Sequence, residues 1–223
     1  MRAAGSWRNR TAYAIIIRVD HAARELLARW DARFPSKRAL ADDLLARYAE
    51  PHRVYHTTDH LRDVCAKLDW LTSTEDRNDT VELAAWFHDA VYEIGRDDNE
   101  ERSAELARTR LRNHGFGDAT ADEVARLVLL TADHAADSTD RAGSLLCDAD
   151  LAILAADRDT YDRYAAQVRA EYSSLDRTVF DAGRAKVLES LIALPRLFKS
   201  SRAKAWEAPA RHNLQRELNA LRA

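Results

Sequence analysis

Apolar positions recur every three to four residues from about Arg18 to the end of this chain, and the breaks between the runs are short and polar. Leu26, Leu27, Trp30 and Phe34 form one stripe, closed by Pro35 and Ser36. A second, Leu40, Leu44, Leu45 and Tyr48, ends near Glu50-Pro51. Residues Pro51 to His56 carry no stripe and read as a loop feeding a helix of Leu61, Val64, Cys65, Leu68 and Leu71. Asn78 is placed to cap the helix of Val81, Leu83, Ala84, Trp86 and Phe87. A polar link, Gly95 to Asp98, leads into Asn99 through Arg112, a helix ended by Gly115 and Gly117. Thr120-x-x-Glu123 then reads as a capping box opening the helix of Val124, Leu127, Val128 and Leu130. Further helices are expected over Leu145–Ala155, Tyr161–Glu171 and Phe180–Leu194, with Pro195 ending the last and Pro209 just before a final helix. No stretch asks to be a strand, so the expected fold class is all-α.

Composition agrees, because only 6 Gly and 4 Pro in 223 residues leave few turn makers for sandwiches or doubly wound sheets. With 46% hydrophobic and 32% charged residues the chain can bury a core, and no linker or repeat divides it. The expectation is one all-helical domain over 1–223, with 1–17 an N-terminal extension. The helices of about 175–223 should pack back on the core, or on a second copy in a homo-oligomer. A net charge of -3 gives no field that would attract DNA or RNA, so no nucleic-acid partner is expected. The early apolar run from Ala12 to Ile17 is too short for a signal peptide or a membrane span. Without a secretory signal, the glycosylation-like triplets at Asn9 and Asn78 read as chance. Cys65 and Cys147 fit neither a disulfide framework nor a zinc site, and a reducing, cytoplasmic setting with buried thiols is expected.

Placement of the eight histidines carries the chemistry. His52, His56 and His60 lie within nine residues, and positions four apart share a helix face, so His56 and His60 can point at one locus if the helix begins near His56. Such a pair is more often surface or core than a metal site. His88-Asp89 ends an apolar segment, where an unpartnered buried carboxylate costs several kcal/mol. A divalent cation would answer that, and so would a nearby arginine. Asp148 and Asp150 repeat the problem within the apolar helix around Leu145 to Ala155, where a shared cation is the economical answer.

A His, an adjacent His-Asp and a distant Asp before an aliphatic residue resemble the signature of the HD phosphohydrolase superfamily, in its predicted metal-dependent phosphohydrolase branch. The likeness runs from about Leu26 to Leu221. It includes Glu50-Pro-His-Arg-Val-Tyr-His-Thr-x-x-His60, Phe87-His-Asp-x-x-Tyr92, Asp98-Asn-Glu-x-x-Ser-Ala104, Asp148-Ala-Asp-Leu151, Phe180-x-x-Gly-Arg184 and Ala210-Arg-x-Asn-Leu214. The resemblance implies an HD-domain helical bundle with a C-terminal helical extension, in which His60, His88, Asp89 and Asp150 bind a divalent metal: Mn, Fe, Co, Ni, Zn or Mg. Tyr55-His56-x-x-x-His60 is also similar to a stretch of the cyclic-nucleotide phosphodiesterases, where the first His acts as acid and the second is a ligand. That gives proton transfer to His56 and the metal to His60, with the reverse open. Asp148 is a rival to Asp150, or support for it, and Glu100 and His134 are candidates for a second metal.

The implied activity is hydrolysis of a phosphate ester of a nucleotide or other small phosphorylated metabolite by metal-activated water. Asp89 would both ligate and orient the water. Glu93, four residues on, is a candidate base if the helix continues, or else a solvated carboxylate near Arg96. Phosphate needs fixed cations, for which Arg53 is the best candidate, equally readable as a structural ion pair, with Arg184 and Arg211 behind it and more readily read as ion pairs that hold the tail to the domain. His114 at a helix end reads as a partner of exposed carbonyls, and His21 and His212 as surface residues. Two rivals differ in class: a two-iron oxygenase on the same scaffold, and a metal- or nucleotide-binding module without turnover.

Overall fold

A computed structural model describes residues 21–73, 78–137 and 139–222, and among them the regular structure is entirely helical. The expected extension over 1–17 lies outside these residues. Helix α1 covers 21–33 of the described chain, followed by α2 (Arg38–Tyr48), α3 (Thr58–Leu71), α4 (Asp79–Phe87), α5 (Asn99–Asn113) and α6 (Asp118–Leu129). Next come α7 (Arg141–Asp150), which tightens into a 3-10 turn (Leu151–Ala155), α8 (Arg158–Glu171), α9 (Arg177–Ala193), a second 3-10 turn (Arg202–Trp206) and α10 (Glu207–Leu221). No described helix is long and apolar enough to cross a membrane.

Local chemistry explains most boundaries. The side chains of Thr57, Asn78, Asp140 and Asp157 accept backbone N–H groups at the starts of α3, α4, α7 and α8. At the end of α5, Gly115 adopts φ +75, its N–H bonds Arg112 O, and Phe116 N–H reaches back to Leu111 O, a Schellman ending. The carbonyl of Arg110 accepts from His114 Nδ1 at 2.8 Å, as expected of a histidine at a helix end. His21 and His212 are exposed.

Several boundaries differ from expectation, α8 and α9 each starting three residues earlier, at Arg158 and Arg177. The capping box does not form: α6 starts at Asp118, already carrying an acid in its first turn, and Glu123 forks onto Arg126 at 2.7 and 2.6 Å. Pro209 lies inside the first turn of α10, where the missing N–H would have no helical partner anyway. The helix expected from Leu145 starts earlier, at Arg141, because Asp140 supplies the cap.

Trp30 and Trp86 meet edge to face at 4.7 Å in the buried core, with Phe34 beside Trp30. Helix α3 packs on α4 and α7, α4 packs on α5 and α6, and α10 lies across α9 and the 3-10 turn after Asp150. Leu188, Leu197, Phe198, Leu214 and Leu218 join the same apolar cluster as Trp30 and Trp86. The C-terminal helices therefore brace the segment that follows Asp150. Asn213 makes this explicit by donating from Nδ2 to the carbonyls of Leu154 and Ala156, both at 2.9 Å.

Candidate metal centre

Helices α3, α4 and α7 converge to bring His60, His88 and Asp150 together, each offering a ligand atom within 4.8 Å of the others. His60 sits in the first turn of α3, just past its Thr57 cap; His88 ends α4; Asp150 ends α7 where the helix tightens. His60 Nε2 lies 3.1 Å from His88 Nε2 and 3.3 Å from Asp150 Oδ1. Asp89 Oδ2 stands 3.3 Å from His60 Nε2 and 3.0 Å from His88 Nε2, although Asp89 is not part of that tighter three-residue group. His88 Nδ1 is held by the carbonyl of Ala85 at 2.8 Å, which directs the lone pair of Nε2 into the cluster.

These residues fit a divalent ion. Two imidazole nitrogens 3.1 Å apart converge on one point where a cation or a shared proton can sit, and two carboxylates complete its surroundings. Around an ion with bonds of about 2.1 Å, neighbouring donors stand about 3.0 Å apart in an octahedral arrangement and about 3.4 Å apart in a tetrahedral one. The observed separations run from 3.0 Å to 3.6 Å, the last between His88 Nε2 and Asp150 Oδ1, and so span both values. Burial opposes charge on all four groups, yet the His88 and His56 imidazoles hold Asp89 well below the usual carboxylate range. Asp150 is held low against the same penalty by His134, His60 and His88. Burial likewise lowers the imidazoles, and hydrogen bonds to Asp150 and Asp89 overcome it to raise His60 to about 9 and, together with the charge of Asp89, to raise His88 well above its ordinary value.

Helix α3 begins at Thr58, so His56 lies in the preceding loop and does not share a helical face with His60. It still reaches the site. Its Nδ1 is engaged by Glu171 Oε2 at 2.7 Å, its ring packs against Tyr92 at 4.2 Å between centroids, and it lines the same cleft as Asp89. Glu171, buried at the end of α8, carried no sequence signal. Its Oε1 accepts the backbone N–H groups of Val54, Tyr55 and His56 at 2.8, 2.8 and 2.9 Å, and Oε2 also accepts the Tyr92 hydroxyl at 3.0 Å. Burial would raise this carboxyl, but His56 and those N–H donors lower it to about 2.

Other expected site residues take different places. The chain leaves the helix after Phe87, and Glu93 faces solvent in a 2.7 Å pair with Arg102, away from the cluster. Arg53 is not open to a phosphate: its buried guanidinium donates to the carbonyls of His56, Asp89 and Ala90 and to Glu50, and sits over the rings of Tyr48 and Tyr92. Arg211 is similarly spent on Glu207 and the carbonyls of Ile192 and Leu194. Arg184 lines the cleft but is forked onto Glu217 at 2.8 and 3.1 Å. Asp148 is no rival to Asp150, because its carboxylate accepts the N–H groups of Lys199 and Ser200 at 2.8 and 2.7 Å.

His134, at φ 55, places Nε2 2.9 Å from the second oxygen of Asp150, and the carbonyl of His134 accepts from Lys199 Nζ. Glu100 lines the same cleft, with burial raising its carboxyl, but neither it nor His134 joins the tight ligand group. The 98–104 motif has a positional role. Asn99 bonds both the N–H and the carbonyl of Glu93, and Ser103 Oγ does the same for Val91, pinning the loop that follows Asp89. No family model matches this chain, and comparison with curated proteins and with solved structures likewise gives no match.

Proposed function

We propose that the protein is a metal-dependent phosphohydrolase that cleaves a small phosphate ester. What carries the reading is the buried imidazole and carboxylate cluster of His60, His88, Asp89 and Asp150 opening into a cleft of about 480 Å³, a size suited to a small ligand. The resemblance of its motifs to the HD superfamily supports it.

His60, His88, Asp89 and Asp150 would hold the ion, and mixed nitrogen and oxygen donors suit Mn, Fe, Co, Ni, Zn or Mg. Bound there, a divalent ion supplies Lewis acidity toward a phosphoryl oxygen and lowers the pKa of water. The remaining work belongs to the chain. His134 and the Asp148 anchor fix the end of α7 that bears Asp150. Glu171 bonds Nδ1 of His56 and fixes the ring's orientation, leaving Nε2 as the proton donor to a departing alkoxide. Tyr92 and Arg53 hold His56 and the carbonyl of Asp89 in place. The buried, unbridged thiols of Cys65 and Cys147 suit action in a reducing compartment such as the cytoplasm.

Phosphate release from mono-, di- and triphosphates, cyclic nucleotides and sugar phosphates, measured with each divalent metal, tests this. Metal-dependent release that disappears in Asp89→Ala is the expected result. Stoichiometric metal with no release across the panel would refute hydrolysis and favour a binding module.

A further inference from the structure

The cleft is chemically two-sided. Asp89, Asp150 and His56 stand at one end, while one side is a long face of α9. Val179, Gly183 and Val187 fall at successive four-residue steps along that face, with Phe180 and Leu191 beside them, and Val168 and Leu154 also line the space. Two of these apolar side chains are unusually open: Val179 is 57% and Val187 49% exposed. Between them Gly183 stands in the interior of the continuous helix, a position where glycine costs about 1 kcal/mol relative to alanine. A Cβ built there meets nothing within 4 Å, so the glycine is not explained by protein packing and leaves room on the cleft side.

Charge narrows the ligand further. Among the described residues that line the cleft, Arg184 is the sole Arg or Lys, and Glu217 already takes its guanidinium in a two-point contact. Acidic lining residues, by contrast, number Asp89, Glu100, Asp133 and Asp150. A di- or triphosphate chain would meet no side-chain cation beyond the ligand cluster, and a hydrophilic sugar would lie against valine, leucine and phenylalanine.

We infer that the cleft selects monophosphate esters of an apolar or aromatic alcohol, with the phosphate at the Asp89/Asp150 end and the alcohol's body along the Val179/Gly183/Val187 face of α9. This rests on the phosphohydrolase reading for its chemistry. Water oxygen bonds to phosphorus, the ester P–O bond breaks with its electron pair passing to the alcohol oxygen, and that oxygen takes a proton, giving free alcohol and inorganic phosphate.

Binding and turnover separate the two ideas. Calorimetry on the metal-loaded protein should show 1-naphthylphosphonate binding on the order of a hundredfold tighter than methylphosphonate, the gain expected from burying about 100 Å² of additional apolar surface. Gly183→Leu, which favours the helix, should erase most of that margin, read as the ratio of the two affinities within each protein; Val187→Asn should erode it less. Hydrolysis of 1-naphthyl phosphate should exceed that of glycerol 3-phosphate, with ATP slowest. Equal affinities for the two phosphonates, or a preference for ATP, would overturn the inference. So would sedimentation showing a second copy of the chain covering Val179 and Val187. A retained naphthyl margin without hydrolysis of any ester would instead refute the phosphohydrolase reading while upholding the recognition face.

Discussion

Replacing Glu171 by glutamine keeps the side chain's size and removes its charge at a point where five donors converge. If the amide oxygen keeps the three backbone N–H groups of Val54, Tyr55 and His56, the amide NH2 faces His56 Nδ1 and the Tyr92 hydroxyl, both donors to the carboxylate. The hydroxyl can rotate, but His56 must surrender its Nδ1 proton. The native carboxyl is depressed from an ordinary 4.5 to about 2. At about 1.4 kcal/mol per pH unit, that is about 3 kcal/mol of stability at neutral pH. The sign follows from the depression: the contribution is fully present above the unfolded value of 4.5 and is lost as pH falls towards 2. By pH 3 about 2 kcal/mol of it should be gone. Urea unfolding of wild type and Glu171→Gln, stepped from pH 7 to pH 3, isolates this group from the other carboxylates because both proteins share them. The gap should be about 3 kcal/mol at pH 7 and narrow to about 1 at pH 3. A gap that stays constant across the range, or one below about 0.5 kcal/mol at pH 7, would refute the assignment.

Other perturbations separate holding from chemistry. His60→Ala and Asp150→Asn should each lose tightly bound metal, read by elemental analysis after desalting, whereas His56→Ala should retain it; metal loss in His56→Ala would remove His56 from the proton-donor role. Arg53→Met leaves the carbonyls of His56, Asp89 and Ala90 without their donor and should cost about 3 kcal/mol in thermal or urea unfolding. Glu93→Gln changes an exposed pair alone, so neither the unfolding midpoint nor kcat should move measurably. Asp148→Ala strands two buried-side N–H groups at Lys199 and Ser200 and should cost about 2 to 3 kcal/mol while metal stoichiometry is retained.

The metal cluster was legible because its residues break a local rule: His88, Asp89 and Asp150 are polar groups in apolar helical runs, and such a misfit needs a partner. Apolar stripes and the polar breaks between them likewise point to each described α-helix, because burial of one face dominates local preference, while the starts of α7, α8 and α9 lie three or four residues before their first core positions. What local sequence does not encode is which distant group supplies a partner. Glu171 looks like one more acid in the charged helix α8, and its role appears only when α8 docks on residues 54–56, more than a hundred positions earlier. Arg53 stays open between phosphate ligand and structural cation for the same reason: a guanidinium suits an anion or a set of carbonyls equally, and only the fold shows the carbonyls around it. The Thr120 box failed because Asp118 and Gly117 offered an earlier start to the same helix.

The anchoring of Asp148 by Lys199 and Ser200 also sets a timetable for biosynthesis. As the chain leaves the ribosome, His60, His88 and Asp89 emerge well before Asp150, and the end of α7 stays untied until residues 199 and 200 follow. Glu171 arrives between them to fasten the His56 loop. A truncated or stalled product therefore leaves His60, His88 and Asp150 scattered, and the candidate cage is assembled only late, once the chain is finished.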